Sequence, residues 1–78
     1  MYQVRLKPSA EKSLAKLSKR DQRRIGLALL GPNQNPFVGK KLQGEYKGYY
    51  SIRVWPYRVI YGVMRSELVV IVIAIGRR

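Results

Sequence analysis

The chain has 78 residues, with 16 Lys and Arg against 4 Asp and Glu, a net charge of +12, and neither Cys nor His. That length makes one domain with a small core, and the missing residue types exclude disulfides, thiolate or imidazole metal sites and a histidine general base. Glu11, Asp21, Glu45 and Glu67 are too few for a carboxylate cage, and the excess positive charge points to a polyanion or an acidic protein as partner.

Tyr2, Val4 and Leu6 alternate with Gln3 and Arg5, which predicts a half-buried strand over 2–6. Pro8-Ser9 opens a helix, with Ser9 as N-cap, Glu11 in the first turn and Leu14 and Leu17 as the apolar stripe. Ser18 caps a second helix, with Asp21 placed to reach back to the cap and Ile25, Ala28 and Leu29 at helical spacing. Gly31-Pro32 reads as a stop. Residues 31–48 are a Gly/Pro/Asn-rich connection, which Phe37, Val38 and Leu42 are expected to anchor to the core.

Three strands are expected after it, over 49–54, 57–64 and 68–75, with Arg65-Ser66 turning between the last two. Every residue from Leu68 to Ile75 is apolar, which marks a strand buried on both faces. The expected fold is therefore α+β, in the order β-α-α-β-β-β. A largely antiparallel four-stranded sheet should carry the two N-terminal helices on one face. Arg5 and Lys7 interrupt any signal peptide, and the run from Val69 to Ile75 falls far short of the ~20 residues that span a bilayer. A cytoplasmic protein without a membrane partner is expected.

The stretch YYSIRVWPYRVIY, residues 49–61, holds a conflict. If Trp55-Pro56 connects two strands, Arg53 lies opposite Arg58, and like charges directly opposed are unfavourable. Pairing Val63 with Leu68 places Tyr57 opposite Ala74 and brings Gly76-Arg77-Arg78 out beside Arg58. These are either solvated surface charges or the two sides of an anion site. Arginine forks onto phosphate oxygens, and the face bearing Ser51 and Arg53 holds no acid. A phosphodiester would suit it, with Tyr46, Tyr49 and Trp55 as base-stacking surfaces. Tyr50 and Tyr61 read as ordinary packing.

PSAEKSLAKLSK, then KKLQG, YYSIRVWPYRVIYGV and a closing VVIVIAIGRR together resemble the RelE/ParE superfamily of bacterial toxin–antitoxin toxins. The resemblance spans nearly the whole chain and implies a single RelE-like toxin domain over 1–78. In the RelE branch it implies a ribosome-dependent endoribonuclease that cuts mRNA in the A site. A ribose 2′-OH attacks the adjacent phosphate, with no metal or other cofactor. Arg58 matches the arginine that contacts the scissile phosphate. Arg53 matches a basic strand position that binds the phosphate or lowers the pKa of the 2′-OH. Arg78 matches the arginine of the closing Gly-x-Arg, near the leaving oxygen. Lys40, Lys41, Lys47 and Arg77 would hold the RNA backbone. Ser51 occupies a position that is basic in some relatives, and the tail ending in tyrosine that is common in the family does not follow Arg78. Arginines stay protonated, so none is a proton acceptor, and no general base is named; Tyr50 and Tyr57 are not matched to that role. The resemblance also implies an antitoxin, acidic and partly disordered. Two alternatives remain open: a ParE-like toxin that poisons DNA gyrase, and a non-catalytic RelE-fold domain that binds nucleic acid or another protein.

Overall fold

Pro8 supplies a preset φ and lacks an N–H, so the first helix begins on it. The computed structural model describes residues 1–77. Strand β1 (Gln3–Leu6) leads into α1 (Pro8–Ala15), α2 (Lys19–Ala28) and a short α3 (Leu30–Gln34). Strands β2 (Lys40–Lys41), β3 (Tyr50–Val54), β4 (Tyr57–Met64) and β5 (Val69–Arg77) follow. They form one mixed sheet in the order β1-β5-β4-β3-β2, antiparallel except that β1 runs parallel to β5. The α+β class and the order of the main elements are as expected. The fifth strand arises because Lys40 and Lys41 pair with Ser51 and Tyr50, and two residues are too few to show a period.

The core lies between the helices and one face of the sheet. Ala10, Ile25 and Leu29 pack there with Val54, Tyr57, Val59, Tyr61, Val70, Val72 and Ile75. None of the three α-helices covers the opposite face, which only the short 3-10 turn Gly44–Tyr46 overhangs. β5 is consequently not buried on both sides: Val70, Val72 and Ile75 are buried, while Ile71, Ile73 and Ala74 are half-buried. Among the described residues, no helix is long and apolar enough to cross a membrane.

Several local expectations need correction. Lys7, not Ser9, is the N-cap of α1, because Pro8 takes the first helical position. Ser18 does cap α2, its Oγ accepting the Asp21 N–H at 3.1 Å, but the Asp21 carboxylate turns to Tyr57 and Arg24. Gly31-Pro32 is not the stop: α2 ends earlier, at Ala28, and the dipeptide sits inside α3, where the missing Pro32 N–H falls in a first turn and costs nothing. The connection is anchored by buried Pro32 and Pro36, whereas Phe37 and Val38 are exposed and Leu42 is half-buried. The Tyr61 hydroxyl donates to the Pro36 carbonyl at 2.8 Å and accepts the Gly39 N–H at 3.0 Å. A Cβ at Gly39 would stand 2.6 Å from that hydroxyl oxygen, so only glycine fits.

The second hairpin also departs from expectation. Arg65–Glu67 form a 3-10 turn, and Leu68 closes it in the left-handed region at φ 55. Val63 therefore pairs with Val70 and Tyr57 with Arg77. Between Tyr61↔Val72 and Ile60↔Ala74 the register shifts, leaving Ile73 as the extra residue of a bulge.

Candidate nucleic-acid interface

The first hairpin is built as expected. Val54 pairs with Tyr57, Arg53 with Arg58 and Ser51 with Ile60. Alternation buries Val54, Tyr57 and Val59 against the helices and turns Arg53 and Arg58 to the open face, where both are exposed. Lys40, paired with Ser51, joins them. Lys40, Leu42, Ser51, Arg53 and Arg58 line a hollow of about 310 Å³. The one salt bridge among the described residues is Arg24–Asp21, on the other side of the sheet, so no Asp or Glu neutralises this group. Three cations around a hollow that no Asp or Glu lines suit an anion.

A second hollow, about 530 Å³, continues from it. Arg58 belongs to both, and Tyr46, Ile60, Ala74, Gly76 and Arg77 complete the lining. Pairing of Arg58 with Gly76 brings the end of β5 here. A third, about 600 Å³, lies beyond Tyr46 and includes Lys7, Lys47, Tyr49, Gly62, Ile71 and Ile73. Tyr49 lies over Gly62, where a Cβ would approach its ring to 2.9 Å.

A family model for the ParE toxin of the type II toxin–antitoxin system parDE matches residues 4–78. The chain belongs to that family. It is a toxin of a type II toxin–antitoxin system, within the RelE/ParE superfamily. No curated protein matches its sequence. Among solved structures, it resembles a chain of the RelBE2 toxin–antitoxin complex of Mycobacterium tuberculosis, with TM-score 0.88, 28% identity and coverage of 99% of this chain and 98% of that one. The isolated RelE toxin of E. coli gives TM-score 0.87 and 26% identity, over 99% of this chain and 84% of that one. A chain of the archaeal RelE–RelB complex of Pyrococcus horikoshii gives TM-score 0.82 and 27% identity, over 99% and 94%. The toxin thus has a RelE-like fold.

Against that fold the site residues read from the sequence of this toxin separate into groups. Lys40, Ser51, Arg53 and Arg58 share one hollow, Arg77 lines the next with Arg58, and Lys47 lines the third. Lys41 pairs with Tyr50, which places it on the opposite face from Lys40 and apart from the cluster. Arg78 lies outside the described residues. Of the proposed stacking residues, Tyr46 and Tyr49 line hollows, whereas Trp55 projects from the β3–β4 turn, 67% exposed. Tyr50 and Tyr57 point to the helix face, away from Arg53 and Arg58: Tyr50 stacks on Tyr61, and the Tyr57 hydroxyl donates to Asp21 at 2.8 Å. Neither is placed to take a proton in the cationic hollow.

Two residues of this toxin were missed in the sequence. Lys7 continues the polar alternation of β1 after Arg5 and could have been placed by it. Arg24 could not: it bonds Asp21 at 3.2 Å and donates to the Trp55 carbonyl at 2.7 Å, 31 residues away. With the Tyr57–Asp21 bond this braces α2 against the turn that joins the two arginine strands. The Tyr57 hydroxyl, and secondarily Arg24, hold the Asp21 carboxyl below its ordinary pKa. The same bond to Asp21, with desolvation, pushes Tyr57 up.

Proposed function

We propose that the toxin is a metal-independent endoribonuclease that cleaves mRNA in the ribosomal A site. The observation that carries this reading is the pairing of Arg53 with Arg58 in a hollow that no Asp or Glu lines. A scissile phosphate between the two guanidinium groups would remove their mutual repulsion. The 2′ oxygen bonds to phosphorus, the bond to the 5′ oxygen breaks, and a 2′,3′-cyclic phosphate remains. The 2′-OH proton passes to water, and the leaving 5′ oxygen takes one up. Arg58 stabilises charge that grows on the phosphoryl oxygens, Arg53 binds the phosphate beside the attacking oxygen, and Arg78 acts near the leaving oxygen. Lys40, Ser51, Lys47 and Arg77 hold the RNA, and Lys41 makes at most a distant backbone contact. The whole chain, 1–78, works as a single toxin domain in the cytoplasm. An acidic, partly disordered antitoxin covers its basic surface, as the named toxin–antitoxin complexes of similar fold suggest.

The test is translation in a reconstituted system, with message breaks mapped by primer extension. Wild type should cut only when ribosomes are present, and Arg58→Ala should lower the rate roughly 100-fold or more. Cutting without ribosomes would remove the A-site scheme, and equal cutting by both proteins would remove Arg58. A second reading is favoured by the family description, which names ParE: the toxin would bind and poison DNA gyrase. Trapped double-strand breaks in supercoiled plasmid, with intact mRNA, would establish that reading instead.

A further inference from the structure

The third hollow takes no part in the bond-breaking steps proposed above, and of its lining only Lys47 was given a role, as an RNA contact. Its floor is Ile71 and Ile73 on β5, and Lys7 and Lys47 stand at its rim. Its aromatic wall, Tyr49, is fixed by its backbone: the Tyr49 N–H donates to the Tyr46 carbonyl at 2.9 Å, and its carbonyl accepts the Leu42 N–H at 3.0 Å. Lys7 is fixed in the same way, its N–H donating to the Val72 carbonyl at 2.9 Å. The rings of Tyr46 and Tyr49 meet edge to face, with centroids 6.5 Å apart. One tyrosine lines the hollow of Arg58 and Arg77, and the other lines that of Lys7 and Lys47. The same unit is therefore repeated side by side: a sheet floor, a tyrosine wall and two cations, with no acid lining either hollow.

We infer that the third hollow is a nucleobase subsite for single-stranded RNA. Tyr49 supplies the stacking face, Ile71 and Ile73 the apolar floor, and Lys7 and Lys47 contact the flanking phosphates. The inference rests on the reading of the arginine face as an RNA site and extends it along the strand. Repetition favours RNA over an amphipathic protein helix. A polynucleotide presents a base and a phosphate at every step, and an aromatic–cation unit matches each step. Gly62, opposite Ile71, keeps the ring of Tyr49 close to the sheet, so the hollow stays wide enough for a base.

The test measures binding of fully 2′-O-methylated oligoribonucleotides, which cannot be cleaved, to the full chain by fluorescence anisotropy. A dinucleotide is long enough for one hollow at a time, and an octanucleotide reaches both. Wild type should bind the octanucleotide more tightly and with a steeper salt dependence. In the double variant Lys7→Ala/Lys47→Ala the slope of log K against log salt for the octanucleotide should fall by about 1.4, at ~0.7 per phosphate lost, and the slope for the dinucleotide should fall by less. Tyr49→Leu should weaken octanucleotide binding about tenfold, with the thermal midpoint reporting separately on folding. An unchanged octanucleotide slope in the lysine variant overturns the inference. So does equal weakening of both oligonucleotides. An acidic amphipathic peptide whose affinity falls in the lysine variant, while octanucleotide binding does not, would make the hollow a protein groove and also overturn it. Cleavage plays no part in these readouts, so loss of the Arg58 mechanism and loss of this subsite are distinguishable.

Discussion

The two faces of the sheet treat arginine in opposite ways. On the helix side, Arg24 has a carboxylate and a carbonyl as partners, and Asp21 also takes the Tyr57 hydroxyl. On the open side, Arg53 and Arg58 face one another across neighbouring strands with no acid between them. Of four acids in the chain, the one that pairs with a cation among the described residues is used to brace the fold. The cation that braces the fold is neutralised by a carboxylate, and the paired arginines of the open face are not.

Removing one cation from each face should separate the two roles most sharply. Arg58→Ala should abolish most cleavage and leave the urea midpoint nearly unchanged, because an exposed side chain away from special features costs within about 0.5 kcal/mol. A large loss of stability in that variant would mean that the open-face arginines are structural, and the contrast would fail. Next in size is Tyr61→Phe, which leaves the half-buried Gly39 N–H without its acceptor and the Pro36 carbonyl without its donor. It should cost about 1–3 kcal/mol by urea unfolding. Ser18→Ala, at the cap of α2, should cost about 1 kcal/mol by the same measurement, with no effect on RNA binding.

The smallest effect is a pH dependence confined to the helix face. A carboxyl held below its ordinary value contributes stability above the ordinary carboxylate range, and this is lost as pH falls through the lowered value. Asp21→Asn should therefore flatten the acid limb of the urea midpoint against pH below about pH 4. A variant that keeps the full acid limb would show that the Tyr57–Asp21 bond contributes nothing to it.

Most of this contrast was legible in the sequence, for a local reason. A two-residue connection fixes the register of the hairpin it closes, so Trp55-Pro56 alone set Arg53 opposite Arg58. Strict alternation on β3 and β4 then assigned faces, and the expected bounds of β4, 57–64, match those observed. The second hairpin gave no such signal. Its turn closes with a left-handed leucine instead of glycine or asparagine, and the bulge at Ile73 lies in a run whose residues are all apolar. Neither device has a compositional mark. Lys41 was misplaced because neighbours in a strand point to opposite faces, and β2 was not seen as a strand. The brace of Arg24 on the Trp55 carbonyl joins distant residues, and no spacing rule reaches that far.

The single surplus residue at Ile73 has an effect on the shape of the open face. Had the pairing at the hairpin end run on unbroken, Arg58 would lie opposite Ile75, and Ala74 would turn into the core. The bulge exchanges these positions: the branched side chain goes inward, and Gly76 and Ala74, the smallest side chains of β5, come to rest beside the arginine. The concavity next to Arg58 is thus created by a miscount between two strands, and a smooth ladder would have filled it with isoleucine.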